Sequence, residues 1–271
     1  MSATPTPTTT PKIPPVQCVT PRVSLLNFTS NAAALLRTAK STRLTLSPEL
    51  HAQHVRDGAT EVNVDGSYPI DTNTNRDLTY ISRTIKSGWE FVHYTFLVQD
   101  VSRTFTHQLV RTRTASYAQQ AQRIVDIASG DAYRIVLPRP DADPVPYIRA
   151  AEAALSHYAD LIQRGAPPED ARAVLPNMTA TNILVSCNLR TLSDWAIKRG
   201  ANPRVQGEYR EVVRGMVREV LRIHPWAEPF LRPDKNDWVQ DAEAILRRIL
   251  PPASADRAEL TKIINLLRGE D

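Results

Sequence analysis

The chain has 271 residues, with 42% apolar and 23% charged residues, which suits a soluble globular protein large enough to bury a substantial core. Its formal charge is only +4, yet the 33 basic residues divide into 27 arginines and 6 lysines. A GC-rich genome accounts for a general excess of arginine, whereas an anionic ligand held in fixed geometry accounts for arginines at particular places. No pair of glycines has G-x-G spacing and no G-K-[ST] occurs, so neither a dinucleotide fingerprint nor a phosphate-binding Walker loop is present. Cys18 and Cys187 form no metal or disulfide pattern, which fits a reducing cytoplasm. His51 and His54 can share a helix face but have no third ligand nearby, so no metal site is expected. There is no apolar run of membrane-spanning length and no signal pattern, so no membrane association is expected. The basic balance permits nucleic-acid binding, but aromatic residues do not interleave with basic ones, and that class is a weak competitor.

Residues 1–16 are almost all Thr, Pro, Ser and Ala, and the composition predicts a disordered tail over 1–20 followed by one folded domain over 21–271. The β-rich run 22–28 predicts a strand, and 30–40 a helix capped by Ser30 or Asn31. A short helix follows Ser47-Pro48, the polar stretch 58–75 predicts a loop, and helix resumes over 76–86. Residues 92–99 predict a strand, and 101–111 a helix capped by Ser102. The strongest helix covers 144–164 and stops at Gly165, with a short Pro-initiated helix at 167–174. A strand at 180–187 precedes helices at 188–198, 203–223, 236–250 and 256–268. The class is α+β, helix-rich, with a small mixed or antiparallel sheet.

The segment from His107 to Arg123 stands out, because it holds three arginines and four glutamines but no acid. A solvated helix face ordinarily interleaves acids with bases. Arg111 and Arg113 cannot share a helix face, but on an extended turn they can address two anionic groups. That pattern describes either a phosphate or nucleotide site, or an arginine-rich surface paired with acids elsewhere. A second cluster runs over 188–208, where Asn188 stands at a strand-to-helix junction, as an anion contact or as a plain N-cap.

The run HQLVRTRTASYAQQAQR resembles the R-H-R-x-x-S-x-N-x-x-S-x-R signature of flavin-dependent thymidylate synthases, with Arg111, Arg113, Ser116 and Arg123 in register. The segment from Gly165 to Pro176 is similar to the family's G-x-x-x-E-x-A-R-x-x-L-P, and Asn188-Leu-Arg190-Thr-Leu192 with Arg199 to its N-x-R-x-L…R. The resemblance implies a homotetramer with active sites between subunits. Each site would bind FAD and a pyrimidine deoxynucleotide monophosphate, and take a one-carbon unit from methylenetetrahydrofolate with NADPH as reductant. It implies FAD contacts for Arg111, Arg113, Asn188, Arg190 and His93. It implies nucleotide contacts, mainly to phosphate, for Gln108, Gln119, Gln120, Arg123 and Arg172. Arg199 would polarise the pyrimidine ring, and Asp194 would stand beside it.

Departures fall inside the signature. Thr112 replaces the family His, Ala118 its Asn and Ala121 its second Ser, which would remove polar groups facing the ligands. The segment before the 92–99 strand is shorter by about one helical turn, so either His93 or Phe91 takes the place of a family His. Three outcomes stay open: dUMP methylation; a C5-hydroxymethyl product or a dCMP substrate, with Asp194 accepting from the cytosine amino group; or a non-catalytic nucleotide-binding relative.

Overall fold

The computed structural model describes residues 13–41, 46–57, 70–84, 86–122 and 131–232, with Ser254 and Glu259 beyond them. Two helices expected at 236–250 and 256–268 lie outside the described residues apart from Glu259, as do Arg123 and the part of the expected 58–75 loop before Ile70.

Period-two alternation builds the main sheet. β2 (Arg22–Phe28), β3 (His93–Ser102), β6 (Ala180–Asn188) and β4 (Ala115–Gln119) pair in the order β2-β3-β6-β4, antiparallel throughout. Tyr94, Phe96 and Val98 of β3 and Ile183, Val185 and Cys187 of β6 point to one buried face. Across that face lies α8 (Gly207–Ile223), which buries Tyr209, Val212, Val213, Met216 and Val220. Helix and sheet approach closely at Gly215, where a Cβ would come within 2.9 Å of the Val23 side chain. The other face of the sheet carries Ser116, Ala118, Leu184 and Ser186, none of them buried.

A second, smaller core forms where β1 (Val16–Val19) pairs in parallel with β5 (Tyr133–Val136). α5 (Pro144–Gln163) seals it with Ala151, Leu155 and Tyr158, and the short α6 (Pro168–Ala171) adds Ala171. This helix begins where Asp143 accepts from the Val145 N–H at 3.0 Å, and it ends before Gly165 at φ 90°. The strand at Val16–Val19 corrects the expected tail over 1–20, since Pro-rich composition concealed a short strand completed by a distant partner.

Asp100 connects the two sheets. It sits at φ 55° where the β3–β6 register shifts between Val98 and Val101. Its buried carboxylate accepts from Arg22 at 2.9 Å and from Arg134 at 2.6 Å. Three helices, α1 (Ala32–Lys40), α2 (Pro48–Asp57) and α3 (Thr72–Thr84), complete the N-terminal part. α3 starts earlier than expected, because Asp71 accepts from the Asn73 and Thr74 N–H groups. Arg37 and Lys40 both meet Asp77 and tie α1 to α3. His51 and His54 each place Nδ1 at the Thr38 hydroxyl, at 2.9 and 3.1 Å. No group able to hold a metal occurs among the described residues.

Candidate active site

α4 (Arg103–Leu109) follows β3 directly, capped by Ser102, whose hydroxyl accepts from the Phe105 N–H at 3.0 Å. After Leu109 the backbone leaves the helix and turns through Arg111, Thr112 and Arg113 into β4. Tyr117 fixes that turn by donating its hydroxyl to the carbonyls of Leu109 and Thr112, at 3.0 and 2.8 Å. Arg111 and Arg113 are both exposed, and neither forms an ion pair with a described residue. Thr112, between them, faces inward. Its hydroxyl accepts from Trp195 Nε1–H at 3.0 Å, and Trp195 is 3% exposed. At the place of the family His this chain therefore puts a side chain that bonds a core tryptophan.

The turn docks on α7 (Leu189–Trp195), where Thr191 donates to the Thr114 hydroxyl at 2.8 Å. Asn188 caps this helix, its Oδ1 accepting from the Thr191 N–H at 2.9 Å, so the N-cap role holds. His93 pairs with Asn188 in the β3–β6 register and is exposed beside it. Arg190 meets Glu90 at 2.5 Å. Phe91 is also exposed, so both aromatic candidates at the shortened segment are open to solvent. The structure thus gathers Arg111, Arg113, His93, Asn188 and Arg190 around one turn and one helix start.

The residues assigned to the nucleotide assemble around α4 instead. Gln108 donates Nε2–H to Gln206 at 2.7 Å, and Gln119 donates to the Thr106 hydroxyl at 3.2 Å. Gln120 is exposed, with its side-chain oxygen accepting from Asn182 at 2.9 Å. Arg172 donates to the Glu169 carbonyl at 3.0 Å and forms no ion pair among the described residues. α7 continues into a π turn over Ala196–Gly200, which carries Arg199 across the Tyr209 ring at 5.5 Å. Burial raises the Tyr209 phenol, while Arg199 and the Thr112 hydroxyl pull it down. Asp194 is exposed and meets Lys198 at 3.1 Å, one turn further along. Cys187 is buried and its thiol is pushed up to about 12, a packing residue rather than a nucleophile.

One residue of this region was missed from the sequence. Arg103 is half-buried at the start of α4, close enough to Arg172 that burial and the second guanidinium both lower its pKa. Two guanidiniums without a carboxylate among the described residues form a place that favours an anion. The available signal was the lack of any acid between Val101 and Arg123, which extends the basic run back to Arg103.

An acid-free arginine turn, a strand-to-helix Asn-x-Arg segment and a mixed fold around an antiparallel sheet together define the group to which the chain can be compared. The profile of the thymidylate synthase complementing protein family (Thy1) matches residues 25–226. The chain belongs to that family. It is 31% identical over 226 residues to a flavin-dependent thymidylate synthase of Clostridium tetani, covering 75% of this chain and 84% of that protein. It is 36% identical over 143 residues to one of Sulfurisphaera tokodaii, where the match spans 52% of this chain and only 55% of the relative. Among solved structures, a UMP/dUMP methylase PolB from Streptomyces cacaoi, bound with 5-Br dUMP, has the same fold. The TM-score is 0.62 at 20% identity, covering 80% of this chain and 96% of that one.

Proposed function

We propose that this protein uses FAD to transfer a one-carbon unit from methylenetetrahydrofolate to C5 of dUMP, with NADPH as reductant, and that it works as a homotetramer. The observation that carries this is electrostatic: Arg103, Arg111, Arg113, Arg172 and Arg199 have no carboxylate partner among the described residues. Arg111 and Arg113 share one turn and Arg103 lies near Arg172, which concentrates positive charge where a dinucleotide cofactor and a nucleotide monophosphate would supply anionic partners.

The donor set fits FAD. Arg111 and Arg113 project from a turn held by Tyr117, and the Asn188 amide nitrogen has no hydrogen-bond partner among the described residues while its oxygen caps α7. Arg190 would exchange Glu90 for the cofactor, and His93 would close the same edge. When bound, FAD supplies the hydride that reduces the transferred carbon. Arg172 and Arg103, with Arg123, would hold the nucleotide phosphate, and Gln108, Gln119 and Gln120 its remaining polar edge. Arg199, lying over the Tyr209 ring, would stabilise negative charge that develops on the pyrimidine ring. Asp194 already has a cation at Lys198, which competes with any role as acceptor for a cytosine amino group.

The purified protein is expected to show flavin absorbance. Incubation with dUMP, methylenetetrahydrofolate and NADPH, followed by mass spectrometry, is expected to yield the C5-methyl nucleotide, with dCMP unreacted. A colourless protein that binds dUMP without turnover would support a non-catalytic relative, and a hydroxymethyl product would change the reaction assigned.

A further inference from the structure

Glu208, the second residue of α8, is 6% exposed and pairs with no cation among the described residues. Its carboxylate accepts instead from Ser102, through the backbone N–H and the hydroxyl, each at 2.6 Å. A third donor is Gln206, whose Nε2 lies 3.5 Å from Glu208 Oε2. Gln206 in turn accepts at Oε1 from Gln108 Nε2, at 2.7 Å. A continuous chain therefore runs from a buried acid to a side chain assigned to the nucleotide.

The chain of bonds has a polarity. A carboxylate only accepts, so it draws the NH2 end of Gln206 towards itself. The Gln206 oxygen then faces Gln108 and draws in that residue's NH2 end. Gln108 is left with its amide oxygen unused by any described residue. Ser102 makes the opposite arrangement costly, because its hydroxyl already accepts from the Phe105 N–H and has its proton to give to Glu208. Burial opposes the charge on Glu208 and the two Ser102 bonds favour it.

We propose that Glu208 is a positioning residue which, through Gln206, holds Gln108 with its amide oxygen towards the nucleotide, so that Gln108 recognises a hydrogen-bond donor. On a pyrimidine deoxynucleotide that donor is the 3′-hydroxyl or the ring N3–H, not a phosphate oxygen. The assignment rests on the nucleotide-binding function proposed above, and it revises the phosphate role that the family resemblance implied for Gln108. Glu208→Gln reverses the relay: the new amide keeps its oxygen on the Ser102 backbone N–H, and its NH2, in the place of Oε2, meets the Ser102 hydroxyl and Gln206, which flips both glutamines. Gln206→Leu cuts the relay and leaves the Ser102 cap intact.

The test is calorimetric titration of dUMP, 3-methyl-dUMP and 2′,3′-dideoxy-UMP into wild type and both variants, with melting temperatures and, for active protein, KM and kcat. Each variant is expected to bind dUMP at least five-fold more weakly and to raise KM. Change in kcat is expected to stay within about two-fold, and the melting temperature of Gln206→Leu within a few degrees of wild type. One analogue is expected to bind wild type poorly and to lose that penalty in Gln206→Leu. Equal dUMP affinity in all three proteins, or an analogue penalty that survives in Gln206→Leu, overturns the relay. A wild type that binds no pyrimidine nucleotide overturns the functional assignment and the relay together.

Discussion

Thr112→Val separates a packing role from a ligand-facing one at the heart of the arginine turn. The substitution keeps the branched shape and removes the hydroxyl that accepts from Trp195 Nε1–H at 3.0 Å. With Trp195 at 3% exposure, the indole N–H has no water to replace the lost acceptor. Leaving a buried donor unpaired costs about 1–3 kcal/mol. For a domain of this size each kcal/mol lowers the melting point by roughly 2–4 °C, so a loss of around 4–8 °C is expected near the middle of that range. Urea and thermal unfolding of the ligand-free protein measure it. The Tyr117 bonds to the backbone of the turn survive, because they use carbonyls and not the Thr112 side chain. Flavin affinity is therefore expected to change less than three-fold. An unchanged melting point together with a ten-fold loss of flavin affinity would show that Thr112 addresses the ligand, and the packing argument would be wrong.

Arg103→Ala is expected to weaken dUMP binding by about ten-fold or more, the size of a lost charge-assisted bond, and to flatten its salt dependence. Stability should change little, because Arg103 relieves repulsion with Arg172 when removed; unchanged affinity in a titration would remove it from the site. Asp100→Asn keeps a residue that tolerates φ 55° but loses the charge facing Arg22 and Arg134. Since those arginines are 63% and 42% exposed, solvent screening limits the expected loss to ~1 kcal/mol in urea unfolding. Asp100→Ala should cost about 1–2 kcal/mol more through backbone strain, and equal losses would dismiss the strain. Burial lowers the His224 pKa to about 4. The folded state thus takes up fewer protons than the unfolded one between pH 6.5 and 4, so this contribution is whole above pH 6.5 and is lost as pH falls towards 4. It amounts to ~3 kcal/mol, and Glu208, whose pKa is raised, offsets part of it in the acid range. His224→Gln should flatten the acid side of the stability curve; a slope identical to wild type would assign it to other groups.

Much of this protein could be read along the chain, because the relevant physics is local. Strands at 22–28, 92–99 and 180–187 showed themselves by their β-branched and apolar runs, and the helix over 144–164 by its length and Gly stop. The arginine run needed only an absence of acids to be noticed, and the family signature then supplied its register. Other features depend on partners far away in sequence. Val16–Val19 becomes a strand only against Tyr133–Val136, more than a hundred residues later. β4 carries Ser, Ala and Gln, which have little intrinsic strand preference, and it forms because β6 offers an open edge. The inward turn of Thr112 required Trp195, and the pairing of Arg103 with Arg172 required the chain to return past α4. The polarity of Gln108 is the clearest case. A glutamine presents a donor or an acceptor according to what holds its other end, and here that is settled by a carboxylate one hundred residues away through a third side chain. Sequence alone determined which residues are charged and which elements they ride on. Only the tertiary structure decided which charges are left unpaired and which way the neutral amides face, because burial and hydrogen-bond partners are properties of the assembled neighbourhood.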